Sequence, residues 1–299
     1  MLQSSEHFAF VAVLGATNVG KSTLVNRLVG QKVSIVSPKV QTTRSRIRGL
    51  INEGKTQLVL VDTPGIFTPH RRLDRAMIAT AWTEADDSDK CLFVMDAKKG
   101  IGDKEEKIIN KLEKNKVTFT VAINKIDTVK PEKVADLLKK LNTLKGIDSV
   151  FCISALNGEN VQELKMYLIE SAPKGNWMFP DGLASDLPES LYCAEITREK
   201  LFMYLRQELP YQLTVETNTF KRGKNGLTIE QNIIVSKVAY RPIILGNRGA
   251  MIKKIGEAAR KEMIKQLGCP VRLFLFVQVK ENWTEDRTRY KTWGLDFNA

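Results

Sequence analysis

An apolar run at residues 8–14 feeds straight into Gly15-Ala16-Thr17-Asn18-Val19-Gly20-Lys21-Ser22, and helix-forming residues follow from Thr23. The pattern is GxxxxGK(S/T) in the setting it needs, between a strand and a helix. Glycines at its two ends let the backbone curl until successive N–H groups surround phosphate oxygens, and the helix N-terminus behind them adds positive potential. Lys21 would neutralise β- and γ-phosphate charge as a point cation, while the Ser22 hydroxyl would ligate Mg2+. Few other features of a chain restrict its architecture so strongly.

The rest of the first half agrees with an α/β fold. Apolar runs at 47–53, 57–61, 90–95, 117–123 and 149–153 read as five further strands, and 104–113, 132–144 and 159–170 carry helical period. Alternation of this kind gives a doubly wound, mainly parallel sheet with helices on both faces. Residues 173–188 hold three of the ten prolines and no sustained period, as a linker would. Beyond it the order is helix 189–208, strands 212–219 and 227–238, helix 249–267 and strand 271–279, a small α+β unit. The expected domains are therefore 1–174, a linker 175–189, 190–282 and a tail 283–299.

Composition excludes several classes. With 43% hydrophobic and 27% charged residues the chain is too apolar for disorder. Cys91, Cys152, Cys193 and Cys269 form no CxxC pair, and His7 and His70 stand alone, which argues against zinc or a disulfide framework and suits a reducing cytosol. No run of about 18 apolar residues or signal-like start is present, so neither membrane spanning nor export is expected. The net charge of +12 makes nucleic acid or an acidic membrane surface a candidate partner.

Three further motifs end predicted strands. Asp62-Thr63-Pro64-Gly65 places a carboxylate where it can reach the metal, and the Gly65 N–H where it can sense a γ-phosphate. Asn124-Lys125-Ile126-Asp127 distinguishes the purine: a carboxylate accepts from guanine N1–H and its 2-amino group, which adenine cannot supply, and Asn124 can reach the O6 and N7 edge. Ser154-Ala155-Leu156 can offer a backbone N–H to the guanine oxygen. GTP is preferred over ATP, which disfavours an ATP-driven motor or helicase.

Between the first two motifs lies Gln41-Thr42-Thr43-Arg44, where a threonine can reach Mg2+ only while γ-phosphate is present. Thr43 is the first choice and Thr42 the alternative. Ile66 follows Gly65, where many small GTPases carry a water-orienting glutamine, so unaided hydrolysis is expected to be slow. His70 is an available base in the following loop, though a lone loop histidine is commonly just solvated.

In the second half, nine basic against two acidic residues fall between 237 and 272. Within them Gly246-Asn247-Arg248-Gly249 forms a GxxG turn followed by an amphipathic helix carrying Lys253 and Lys254. Two glycines allow close approach of a nucleic-acid backbone, with Asn247, Arg248, Lys253 and Lys254 on phosphates. The element order is that of a type II KH domain, whose groove holds about four single-stranded nucleotides. Ile243, Ile244, Ile252 and Ile255 are expected mainly in the core.

Taken together, GATNVGKST, QTTR, DTPG, NKID, SAL, then AEITREKLFMYLRQELPYQLTVE and PIILGNRGAMIKKIGEAARK, resemble the Era family over nearly the full chain. These are bacterial GTPases joined to a C-terminal KH domain. The resemblance implies GTP hydrolysis to GDP coupled to small ribosomal subunit assembly, the single-stranded 3′ end of small-subunit rRNA in the KH groove, and a monomer in the cytoplasm with a peripheral inner-membrane fraction. It also implies K+ near the phosphates, with Asn18 as a ligand, since related GTPases with an apolar residue at the Ile66 position use potassium. Ala16-Thr17 stands where the family often has arginine-proline. The rival reading is a membrane-surface regulatory GTPase whose basic C-terminal domain contacts lipid or protein.

Overall fold

The computed structural model describes residues 6–39, 42–44 and 46–299, so Gln41 of the QTTR motif lies outside the described residues. The chain forms two compact units. The first comprises Met1–Ser34, Thr43–Asp186 and Thr288–Ala299; the second comprises Ile35–Thr42 and Leu187–Arg287.

The first unit holds a six-stranded sheet in the order β2-β3-β1-β4-β5-β6. Its strands are β1 (His7–Leu14), β2 (Ile47–Glu53), β3 (Thr56–Asp62), β4 (Lys90–Asp96), β5 (Phe119–Asn124) and β6 (Ile147–Ile153). β2 runs antiparallel to β3, and every other pair is parallel. Because β1 lies between β3 and β4, the strand order reverses there, and the carboxyl ends of these strands open a crevice for ligands.

Alternation along the central strands feeds two cores. Val11 and Val13 join Leu24, Val25 and Leu28 of α1 (Lys21–Val29) and Leu164 and Leu168 of α5 (Val161–Glu170). On the opposite face, Ala12 and Leu14 join Ala81 of α2 (Arg72–Asp87), Ile108 and Leu112 of α3 (Asp103–Lys114) and Leu137 of α4 (Pro131–Leu141). α2 has no counterpart in the sequence reading, because its alanines, threonines and acids give it little apolar period. It starts cleanly all the same: the Asp74 carboxylate accepts the N–H groups of His70 and Arg71, both at 3.1 Å.

The proline-bearing stretch is fastened to this unit through Asp186 rather than hanging free. Gln57 Oε1 accepts from Met178 and Phe179 N–H at 3.0 Å each, and the Leu50 N–H reaches the Ala184 carbonyl at 2.8 Å.

The second unit runs α6 (Glu189–Tyr204), β7 (Leu213–Gly223), β8 (Gly226–Val235), α7 (Tyr240–Leu245), α8 (Ala250–Leu267) and β9 (Val271–Val279). β8 pairs antiparallel with β7 and parallel with β9. α7 is an addition to the sequence reading; Pro242 sits in its first turn, where a missing N–H costs nothing. α6 stops at Tyr204, short of the 208 expected. Among the described residues no helix is long and apolar enough to cross a membrane. The chain then enters α9 (Arg287–Trp293).

Candidate nucleotide site and nucleic-acid groove

The loop between β1 and α1 is shaped for phosphate. Gly20 sits at φ 101°, and a Cβ there would run into Asn124 Nδ2, so glycine is required on both counts. The Lys21 ammonium is buried and donates to the carbonyls of Gly15 at 3.1 Å and Ala16 at 3.0 Å. Burial pulls its pKa down to about 8, with the Asp62 charge opposing. The Ile66 N–H donates to Gly15 O at 3.0 Å, tying the residue after Gly65 to this loop.

Three side chains converge at the C-terminal end of β3. Ser22 Oγ donates to Asp62 Oδ2 at 2.7 Å, and Thr43 Oγ1 lies 3.0 Å from Ser22 Oγ and 3.4 Å from the same carboxylate oxygen. Asp62 is fully buried, its pKa raised by that burial, and its Oδ1 has no hydrogen-bond partner. An orphaned carboxylate oxygen beside two hydroxyls is a hard-oxygen donor set that fits a divalent cation such as Mg2+. Thr42 does not join it. Its hydroxyl bonds to Ser37 Oγ at 2.9 Å and donates to Lys39 O at 2.8 Å, which shapes the loop locally.

At the end of β5, Asn124 makes bonds that the sequence alone did not indicate. Its Nδ2 donates to Val19 O at 2.8 Å, while its Oδ1 accepts from Lys125 N at 2.8 Å and Ala155 N at 2.9 Å. These bonds tie three loops together at Asn124 and use one of the two hydrogens on its Nδ2. Lys125 reaches across to the Asn18 carbonyl and to Asp96 Oδ2, both at 2.7 Å. Burial alone would raise the Asp96 pKa, but the Lys125 bond and charge, with two backbone N–H groups, hold it below the usual value. Asp127 is exposed, its carboxylate open to a two-point partner. The Ala155 N–H is engaged and Leu156 is 70% exposed. His70 is exposed at the start of α2.

In the second unit, Gly246 (φ 72°) and Gly249 (φ 79°) bracket Asn247 and Arg248, both exposed. A Cβ on Gly246 would lie 2.6 Å from Met251 Cβ, whereas Gly249 has open space. A groove of about 520 Å³ runs between α8 and β9, lined by Ile252, Lys253, Glu257, Arg260, Arg272 and Phe274 among others. Two guanidinium groups, a lysine and an exposed aromatic edge suit phosphates and stacked bases. Lys254, also exposed, lies over the Tyr204 ring, 4.7 Å from its centroid. Ile244 and Ile255 are core residues, Ile243 is exposed and Ile252 lines the groove.

Residues 10–125 match the family described as 50S ribosome-binding GTPase, and 208–284 match the KH domain. The chain is 51% identical over 289 residues to the GTPase Era of Afipia carboxidovorans, covering 96% of this chain and 94% of that one. The chain belongs to the Era family of GTPases. It is 50% identical to the Era of Brucella suis over 96% of its length and 93% of the relative's. Among solved structures, Era in complex with MgGDPNP and nucleotides 1506–1542 of 16S ribosomal RNA superposes with a TM-score of 0.91 at 36% identity, covering 97% of this chain and 99% of that one. An Aquifex aeolicus Era variant bound to GDP and AlF4− gives the same TM-score and identity, covering 96% and 99%.

As an Era-family protein the chain is a GTPase that binds GTP and GDP, with a P-loop GTPase domain of mixed sheet followed by a KH domain. The structure gathers Gly15 to Thr23, Thr43, Asp62 to Ile66, Asn124, Lys125, Asp127 and Ser154 to Leu156 at the carboxyl edge of one sheet. Sequence reasoning missed Asp96, which closes β4 inside an apolar run, and it missed Arg260, Arg272 and Phe274. The strict alternation of β9, with exposed residues at every second position, was the available signal for the last two.

Proposed function

We propose that this chain is a GTP-switched RNA-binding factor that holds the single-stranded 3′ end of small-subunit ribosomal RNA in the groove between α8 and β9 and assists assembly of the small ribosomal subunit. The observation that carries the reading is the groove itself, with its arginines, lysine and exposed aromatic, on the helix that follows the Gly246–Gly249 turn and in the same chain as the nucleotide site. The Era structure containing 16S nucleotides supports it.

In this reading Lys21 and the loop N–H groups grip the phosphates, and Asp127 selects guanine. Ser22, Thr43 and Asp62 would hold Mg2+, which when bound neutralises charge developing on the phosphates. Asn18, at φ 63° on the exposed side of the loop, would hold K+. Ile66 can neither donate nor accept through its side chain, so positioning of the attacking water falls to backbone groups and hydrolysis to GDP and phosphate is slow without a partner. Thr43 and the Gly65 N–H respond to the γ-phosphate, and its loss releases both segments and loosens RNA. The protein works as a monomer in the cytoplasm, and its charge of +12 supports a peripheral fraction at the inner membrane face.

Crosslinking the GTP-bound protein to total cellular RNA and sequencing the attached fragments tests the reading. Enrichment of the small-subunit 3′ end is expected; recovery of no small-subunit rRNA would refute it.

A further inference from the structure

The segment Thr288–Ala299 groups with the first unit although the chain reaches it from β9. It is folded on itself. The Tyr290 ring meets Phe297 edge-on at 5.0 Å and lies 6.1 Å from Trp293. The Leu295 N–H returns to the Tyr290 carbonyl at 2.8 Å across Gly294, which sits at φ 67°. Tyr290, Trp293 and Leu295 are buried. Aromatic packing of this kind makes the segment a fixed element of the unit.

Two of its contacts fall on the nucleotide machinery's flanks. The Trp293 carbonyl accepts the Arg46 N–H at 3.3 Å, close beyond Thr43 in the chain. The Phe297 ring lies under the Arg72 guanidinium, 4.4 Å from ring centroid to Cζ, at the first residue of α2 and at the far end of the loop that begins with Gly65. One short piece of chain thus meets the distal ends of both segments read above as responding to the γ-phosphate.

We propose that the C-terminal segment, through the Phe297 side chain and the Trp293 carbonyl, is a positioning element for GTP hydrolysis. It fixes Arg46 and Arg72, and through them raises the fraction of time that Thr43 and Gly65 spend in the assembled arrangement. Glu199 and Arg198 hold the loop at Val36 and Thr42, and fixing the Arg46 backbone just beyond Thr43 further restricts the conformations in which the Thr43 hydroxyl is away from Ser22 and Asp62. A ligand that needs the assembled arrangement binds more weakly in proportion to the fraction lost. GTP needs it; GDP, which has no γ-phosphate for Thr43 and Gly65 to sense, does not. The tail therefore acts on kcat and on the preference for GTP over GDP, while GDP affinity stays put. The proposal rests on the assignment of the two segments as γ-phosphate switches.

The test uses full-length Phe297→Ala, with Phe297→Tyr as the conservative variant and Thr43→Ala as the control on the switch assignment. Steady-state GTP hydrolysis is measured together with affinities for GDP and a non-hydrolysable GTP analogue. Phe297→Ala is expected to lower kcat and the analogue-to-GDP affinity ratio about fivefold, in the range of one cation–π contact, with GDP affinity unchanged; Phe297→Tyr restores both. Adding Arg72→Ala to Phe297→Ala produces little further loss. Changes under twofold in Phe297→Ala, alongside a clear loss in Thr43→Ala, would overturn the proposal, as would a parallel fall in GDP affinity, which marks general loosening. If Thr43→Ala itself leaves hydrolysis and the affinity ratio intact, the switch assignment fails and the proposal falls with it.

Discussion

The Arg198 guanidinium donates to the Thr42 carbonyl at 2.5 Å, one residue before the threonine whose hydroxyl meets Ser22. Arg198 lies on α6, 1% exposed, and pairs with Glu195 as well; the neighbouring Glu199 accepts the Val36 N–H at 2.9 Å. Side chains of α6 thus hold the stretch that leads into Thr43. Removing one member of a buried ion pair leaves the other uncompensated, so Arg198→Ala is expected to cost about 3–5 kcal/mol of stability. Replacing both Arg198 and Glu195 with methionine should recover most of that loss. Urea denaturation of the three proteins measures both effects.

Thr43 and Thr42 make separable predictions. Thr43→Ala removes a hydroxyl from the Ser22–Asp62 cluster and should lower kcat at least tenfold while raising the Mg2+ concentration needed for half-maximal activity, in keeping with the worth of one well-placed polar group at a reacting phosphate. Thr42→Ala removes two local hydrogen bonds and should cost about 1 kcal/mol of stability with less effect on kcat. Hydrolysis assays across a magnesium series distinguish the two.

In the proposed function base selection rests on Asp127. Asp127→Asn exchanges an acceptor pair for one acceptor and one donor, which mismatches guanine and matches xanthine, whose C2 carries oxygen in place of the amino group. GTP affinity should fall by about a hundredfold or more, and xanthosine triphosphate should become the better ligand. Competition binding with the two nucleotides reads the switch.

Much of this site was legible because its motifs close strands, and the chemistry at each position admits few residue types: a lysine among curled glycines, a hydroxyl beside it, a carboxylate for the purine. Where a residue's role depends on tertiary neighbours, pattern failed. The bracing bonds of Asn124 were not legible, because Val19, Lys125 and Ala155 come within hydrogen-bond reach only when three loops are folded together. Asp96 was concealed at the end of an apolar run, and its purpose appears only with Lys125 beside it. α2 and α7 escaped because one lacks a clear apolar stripe and the other is a six-residue helix with proline in its first turn. The contact of Arg198 with Thr42 joins residues far apart in sequence, which no local period encodes.

The cysteines give a pH-dependent prediction. Burial pushes the Cys91 and Cys193 thiols up to about 12 and also raises Cys152. Folding therefore disfavours these thiolates. Their contribution to stability is whole below the ordinary thiol value of 9.0 and is lost as pH climbs from there toward 12. At pH 8.5, iodoacetamide should modify the half-buried Cys269 of the native protein first, Cys152 more slowly, and spare Cys91 and Cys193 until denaturant is added, as mass spectrometry of the labelled peptides would reveal.

The central claim is that the nucleotide site and the α8–β9 groove are linked, and fluorescence anisotropy measures it most directly. A labelled single-stranded oligoribonucleotide from the small-subunit 3′ end is titrated with the protein saturated either with a GTP analogue or with GDP. Linked sites predict tighter RNA binding in the analogue-bound form by about 5- to 150-fold. Equal affinities in the two states would contradict the account.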